Sequence, residues 1–373
     1  MEKIILMGAG RALQYLIDTY EAFFKDYCIK GIWDNDNSKT GETISINGID
    51  YVVEKPNSQK VNCSIIITSE LHFDDIKKSL IKNNELNLSD SDIKHRNYIF
   101  HVVKEKIIER YKDDDAVDIQ DTINYLRNND LEIFINVPEY KKAVENTAFE
   151  VSYDEEAQLY YSKWMGKKIY LKREYNTEKK VSDYLKNIYA EQITNSPHCY
   201  KCNGYEVGND DVLVDAGAAE GFFALERVDI VKKVILIEKD EEWVEALKYT
   251  FAPYGDKVEI VNKYLSNISD GDNVTLDELD TDNQPITFIK MDIEGAEVNA
   301  LKDTKFIKLD RNLKIIACTY HYENDEKKIK EILNQAGFET HYSKGYMFFR
   351  MYEDSSVTDL RHALCFGKKI KAK

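Results

Sequence analysis

Apolar residues recur along this chain in short blocks separated by polar or glycine-containing turns. KIILMG, near the amino end, is a run of consecutive apolar residues, as expected of a strand covered on both faces. A glycine turn follows, and the stretch from Arg11 to about Phe24 has a helical pattern. CIKGIWDND predicts a second strand that ends in acids, and NGIDYVV and CSIIIT predict two more. From Phe73 to about Asn83 the pattern is helical again, with Ile76, Leu80 and Ile81 on one side. Strand, helix, strand, strand, helix is half of a Rossmann-type unit. Residues 1–85 are therefore expected to form a small α/β domain.

Residues 86–204 break this rhythm. They are polar and rich in Asp, Asn, Lys and Tyr, and NLSDSD reads as a cap or loop. Helices are expected near 98–111, 117–129 and 178–192. The aromatic-rich segment 149–175 predicts two or three strands with Gly166 at a turn. The region reads as a helical connector with a β segment, placed where it could shape an acceptor site.

Residues 205–373 return to regular alternation. VLVDAG, VILIEKD, VEIVNK, ITFIKMDI and KIIACTYH are strand runs. Helical stretches run from Phe222 to about Val228, through EEWVEALKYTF, near 296–302, and through DEKKIKEILNQAG. Two last strands are expected around 338–350 and 363–369. The fold class is α/β: a doubly wound, mostly parallel sheet with an antiparallel strand from the final hairpin, preceded by the smaller unit.

Composition narrows the function classes. The chain has 373 residues, 43% hydrophobic and 32% charged, as in a globular protein of two or three domains. It contains no run of ~18 apolar residues and no signal-peptide pattern, so a cytoplasmic protein without a membrane span is expected. The net charge of −16 argues against a nucleic-acid partner, since phosphate neutralisation needs a basic field. The basic ending KKIKAK reads as a solvated tail. Cys199 and Cys202 form a CxxC beside His198, but a structural zinc needs four ligands and no second pair lies nearby. The six cysteines are expected to be free, as in a reducing compartment.

The segment VLVDAGAAEG carries the candidate chemistry. An apolar strand delivers Asp215 at its carboxyl end, Gly217 permits a tight turn, and Ala218 and Ala219 keep side chains away from a ligand. Gly221 permits close approach where the helix begins. The turn lacks the GxGxxG spacing of a pyrophosphate site. The next strand ends at Glu238, about 20 residues on, where a carboxylate can hold the hydroxyls of a ribose.

Residues 205–367 resemble the FkbM-type methyltransferases. The resemblance rests on VDAGAAEGFFAL, on FIKMDIEGAEVNAL at 288–301 and on the CTYH strand end at 318–321. It implies a Rossmann-like fold, S-adenosylmethionine (SAM) as methyl donor, and O-methylation of a sugar or other small molecule in polysaccharide or secondary-metabolite biosynthesis. Asp215, Gly217, Ala218, Gly221 and Asp292 would line SAM, and Glu238 would bind its ribose. The stretch Tyr189–Gln192 resembles the segment that precedes the SAM domain in relatives, which would bring Gln192 to the cofactor. The acceptor would be a small molecule or sugar, free or nucleotide-linked, and a homo-oligomer is left open.

An alcohol acceptor must lose a proton, and a general base contributes ~10²–10⁴-fold. Asp292 ends the FIKMD strand, Glu294 follows it, and His321 ends the next strand. His321 or Asp292 is expected to take the proton, with Glu294 orienting the acceptor. The same three residues could share a divalent metal, but nothing in their spacing fixes a coordination geometry, so metal-free catalysis is expected.

The amino-terminal turn offers the competing reading. Gly8 and Gly10 follow a strand, Arg11 could reach a phosphate, and Asp34 ends the second strand, but the third fingerprint position is Leu13. The segment resembles small Rossmann-like domains that precede some sugar-modifying transferases. An NAD-dependent or nucleotide-sugar enzyme acting through this turn, or a non-catalytic nucleotide-binding protein, is the alternative. A nucleic-acid amino-methylase fits poorly, because KMDIEG stands where a [DN]PP[YF] motif would be.

Overall fold

The KIILM run becomes the middle of a sheet buried on both sides. The computed structural model describes residues 1–57, 62–69, 72–281, 283–349 and 358–371. The chain divides into two units, Met1–Ile133 with Arg350–Leu360, and Phe134–Phe349 with Arg361–Lys373. Residues 86–133 thus pack within the first unit and 134–204 within the second. Arg350, at the end of an expected strand, and the last two residues of the basic tail lie outside the described residues.

In the first unit the order is β1 (Glu2–Met7), α1 (Arg11–Tyr20), β2 (Tyr27–Trp33), β3 (Thr43–Ile46), β4 (Ile49–Glu54), β5 (Ser64–Ile67) and α2 (Phe73–Lys82). Then come β6 (Ile93–His95), α3 (His101–Tyr111) and α4 (Val117–Asn128). The sheet order is β3-β4-β2-β1-β5-β6, parallel except for the β3–β4 pair. Alternation within β1 splits the core. Ile4 and Leu6 pack with Leu13, Leu16 and Phe24, while Ile5 and Met7 pack with Trp33, Ile65 and Leu80. The three-residue β6 adds an unforeseen parallel edge, because so short a segment carries no periodicity.

The second unit opens with β7 (Phe134–Ile135), α5 (Glu139–Asn146), β8 (Ser152–Asp154), β9 (Leu159–Trp164), β10 (Lys167–Tyr170) and α6 (Glu178–Glu191). Strands β8 to β10 form an antiparallel sheet, turned at Met165 and Gly166, whose φ angles of 49° and 82° suit a tight hairpin. Thr177 caps α6 by accepting from the Lys180 amide.

The large sheet follows: β11 (Val212–Ala216), α7 (Phe222–Arg227), β12 (Lys233–Ile237), α8 (Glu241–Phe251), β13 (Val258–Val261), β14 (Tyr264–Leu265), β15 (Asn273–Val274), α9 (Leu276–Leu279) and β16 (Phe288–Met291). It is completed by α10 (Glu297–Leu301), β17 (Leu313–Cys318), α11 (Asp325–Gln335), β18 (Glu339–Tyr342), β19 (Tyr346–Met347) and β20 (Leu364–Lys369). The order is β13-β12-β11-β16-β17-β20-β18, with β20 antiparallel to both neighbours. The chain winds outwards from β11 to β13, then returns to the other side of β11 as β16. Such a reversal leaves a crevice at the carboxyl ends of the two central strands. Val214, Ala216, Ile235, Ile289, Met291 and Ile315 fill the core beneath it.

Candidate active site

A cleft of about 460 Å³ opens at that switch point, within the size range of small-molecule sites. Gly217, Ala218 and Glu238 form one wall, Trp243 and Leu265 a second, and Asp292 with Glu294 a third. The turn after β11 is held by two amides, Gly217 and Ala218, that donate to the Ile237 carbonyl at 2.9 and 3.2 Å. Gly217 has φ 67°, and a Cβ there would lie 1.7 Å from the Asp292 carbonyl oxygen. Glycine is required here by the backbone of the neighbouring strand, whatever the ligand. Gly221, at φ 83°, starts α7, and its missing Cβ leaves room for Leu247 and Phe251. Its role is to pack α7 against α8. The Glu238 carboxylate accepts from the Ala219 amide at 2.9 Å and from the Asp240 amide at 2.9 Å, which aims it at the cleft.

Beneath the turn, Lys290 on β16 faces Asp215 on β11. The strands pair with these two residues in register, and Lys290 Nζ lies 3.1 Å from Asp215 Oδ1. The ammonium also donates to the Gly217 carbonyl at 2.8 Å. Asp215 Oδ2 accepts from the Ala224 amide at 3.3 Å, which ties the strand to α7. Burial opposes the charge on Lys290, but the Asp215 and Asp292 carboxylates outweigh it and hold the amine protonated. Burial pushes the Asp215 carboxyl up and Lys290 pulls it back. With the lysine held as a cation, the pair is ionised.

Asp292, one residue beyond β16, is the centre of a polar cluster. The Tyr200 hydroxyl donates to its Oδ2 at 2.8 Å, and the Tyr320 hydroxyl lies 3.4 Å from Oδ1. His198 Nε2 stands 3.7 Å from Oδ2 and His321 Nε2 3.7 Å from Oδ1. Burial works against the Asp292 charge, yet Lys290, His198 and His321 reverse that and hold its carboxyl below the usual range. His321 is fully buried between Glu294 Oε2, 3.5 Å from Nε2, and Glu297 Oε1, 3.3 Å from Nδ1. Burial disfavours its charge, but the carboxylates raise its pKa to about 10. Glu294 is held at φ 54°, an uncommon conformation for a residue other than glycine, and its side chain is 79% exposed.

Residues 215–340 match the family model described as the methyltransferase FkbM domain. This chain carries an FkbM methyltransferase domain. Among solved structures it is similar to methyltransferase FkbM from Methylobacillus flagellatus KT, at 14% identity over 98% of this chain and 89% of that one, with a TM-score of 0.43. Precorrin-6y C5,15-methyltransferase from Geobacter metallireducens GS-15 matches at 13% identity over 44% and 84% of the two chains, TM-score 0.32. TYW2 from M. jannaschii, solved in complex with AdoMet, matches at 14% over 57% and 86%, TM-score 0.33. No curated protein sequence matches the chain.

Within the FkbM domain, Gly217, Ala218, Glu238, Asp292 and Glu294 converge on one cleft. Asp215, Gly221 and His321 stand behind its walls. Gln192, just before the domain, donates through Nε2 to the His198 carbonyl and accepts through Oε1 from the Tyr200 amide, each at 3.0 Å. It thereby clamps the segment that carries Tyr200. Lys290, Tyr200, Tyr184 and Glu220 also line the cleft and are among the residues not singled out from the sequence. Glu220 is buried and receives the Tyr184 hydroxyl. Burial, opposed by that hydrogen bond, raises its pKa to about 7. In the amino-terminal unit, Asp34 Oδ2 accepts from the Ala9 amide at 2.7 Å, and Lys39 lies 3.8 Å from the same carboxylate. The acid suited to a ribose is already bonded to its own turn. All six cysteines are free, and Cys202 faces His341 at 3.4 Å. Among the described residues, no helix is long and apolar enough to cross a membrane.

Proposed function

We propose that this protein is a SAM-dependent methyltransferase acting on a hydroxyl of a sugar or other small molecule. The observation that carries this reading is the convergence of the glycine turn and the Glu238 carboxylate on one cleft at the switch point between β11 and β16. The residues present fit such a cofactor. Glu238 offers a carboxylate of the kind that binds a ribose diol, and Ile237, Trp243 and Leu265 give an apolar wall for a base. Gly217 and Ala218 leave the turn's backbone open to the ligand.

SAM, when bound, supplies a methyl group made electrophilic by its sulfonium. The protein's part is to align the acceptor oxygen, which can contribute several kcal/mol. It must also handle the hydroxyl proton. Asp292 lines the cleft and is assigned to accept it, whereas His321 has no face on the cleft and supports Asp292 from behind. Tyr200 fixes the other carboxylate oxygen. Glu294, exposed at the rim, orients the acceptor.

Incubation of the full chain with methyl-tritiated SAM and a panel of nucleotide-sugars and glycans tests the reading. Label transfer with S-adenosylhomocysteine release is expected, reduced ~10²–10⁴-fold in Asp292→Asn. NADH formation through the first unit, with no label transferred to any acceptor, would contradict it.

A further inference from the structure

His198, on the segment before the FkbM domain, lines the cleft together with Glu191, Tyr200 and Asp292. Its side chain is buried, and its backbone is pinned, since Gln192 donates to the His198 carbonyl and accepts from the Tyr200 amide. Phe134, Tyr200 and Tyr320 pack around the imidazole, with ring centroids 6.3, 5.1 and 5.4 Å away. The two ring nitrogens are therefore fixed in direction.

The Tyr200 hydroxyl stands between two acceptors. It donates to Asp292 Oδ2 at 2.8 Å and lies 3.4 Å from His198 Nε2. His198 Nε2 and that carboxylate oxygen are 3.7 Å apart, too far for a direct hydrogen bond. Cys318 Sγ is 3.6 Å from Nε2, and burial keeps its thiol, a weak donor, protonated. Across the ring, Nδ1 faces Glu191 Oε2 at 3.5 Å, and the Glu191 side chain is 25% exposed. A carboxylate behind Nδ1 favours the tautomer with its proton there and leaves Nε2 free to accept one. The neighbouring groups are poor stations for a proton. Asp292 has its carboxyl held below the usual range, and His321, its pKa raised to about 10, already carries a proton at neutral pH.

We propose that the acceptor's proton leaves Asp292 through the Tyr200 hydroxyl and comes to rest on His198 Nε2, with Glu191 as the positioning residue behind the imidazole. The Asp292 O–H bond breaks as an O–H bond forms on Tyr200. The phenol's own O–H bond breaks as an N–H bond forms at Nε2. Carboxylate and phenol are regenerated, and the imidazole becomes a cation facing Glu191. Tyr200 needs no charge of its own, which suits a phenol whose ionisation burial strongly opposes. The proton then passes to water at the partly exposed Glu191. This relay rests on the methyltransferase reading, and it resets Asp292 for the next acceptor.

The first test needs neither SAM nor acceptor. Two-bond proton–nitrogen correlation spectra of the full chain, labelled with ¹⁵N-histidine, report the tautomer of each imidazole, and His198→Gln identifies the His198 signals. Neutral His198 is expected to carry its proton on Nδ1 with Nε2 bare, and Glu191→Leu is expected to lose that preference. A proton on Nε2 in the wild type, or an unchanged tautomer in Glu191→Leu, overturns the proposal. The second test is methyl transfer from tritiated SAM to the panel of nucleotide-sugars and glycans. His198→Ala is expected to lower kcat about 10²-fold, with the KM for SAM near wild type and part of the rate restored by added imidazole. Tyr200→Phe is expected to lower kcat without such rescue. A rate loss in His198→Ala that imidazole does not restore, or a wild-type rate in Tyr200→Phe, overturns the relay. No label transfer by the wild-type protein whose His198 shows the Nδ1 tautomer sinks the methyltransferase reading and not the imidazole's geometry. Label transfer at the wild-type rate in His198→Ala sinks only the relay.

Discussion

Lys290 and Asp215 meet at 3.1 Å on adjacent strands, both closed off from water, and the same ammonium reaches the Gly217 carbonyl. One buried cation thus joins the strand to the turn that follows it. Lys290→Met would leave a buried carboxylate without its counter-charge. The expected cost is about 3–5 kcal/mol in urea unfolding, with much of it recovered in the Asp215→Asn, Lys290→Met double variant. A single variant within 1 kcal/mol of wild type, on the order of a surface change, would show that the pair does not hold the turn.

Gly217 stands where no side chain fits. With a Cβ 1.7 Å from the Asp292 carbonyl oxygen and a positive φ, Gly217→Ala must displace the turn or β16. A loss of at least about 1–3 kcal/mol is expected from the backbone conformation alone. Thermal unfolding and SAM calorimetry should both register it. Wild-type values in both would mean that the turn is free to move.

Glu220 gives a pH dependence with a defined sign. Its carboxyl is raised from an ordinary 4.5 to about 7 by burial, against the opposing effects of Tyr184 and Lys290, while Asp215 adds to the rise. The folded state therefore binds the proton more tightly than the unfolded chain. This contribution to stability is complete below about pH 4.5 and is lost as pH rises through about 7. Glu220→Gln should remove that slope and stabilise the protein above pH 7 by a few kcal/mol at most. Parallel curves of melting temperature against pH for the two proteins would refute the assignment.

Gln192 was expected at the cofactor, and its side-chain amide holds two backbone partners, the His198 carbonyl and the Tyr200 amide. Gln192→Ala should cost about 1–3 kcal/mol of stability, because the buried His198 carbonyl and Tyr200 amide lose their partner. SAM affinity should change little. A large fall in affinity with unchanged stability would restore the expected contact.

The large sheet was legible because its strands are continuous apolar runs separated by helical ones, and the motif residues at their carboxyl ends fall where such a sheet places ligands. The same continuity hid Lys290. On a strand buried on both faces, parity does not say which way a side chain points, so its pairing with Asp215 needed the β11–β16 register. Tyr200 was hidden by distance, since its partner Asp292 lies 92 residues away. His321 was legible as a strand-end histidine, but its enclosure by Asp292, Glu294 and Glu297 depends on the segment after β16 meeting the end of β17.

The central claim is that the cleft beside Gly217 and Glu238 holds SAM. Isothermal calorimetry of the full chain with SAM, repeated with Glu238→Ala, tests it most directly. One site per chain is expected, weakened roughly 10–100-fold by loss of the carboxylate. The absence of binding heat at millimolar SAM, or equal affinity in the two proteins, would contradict it.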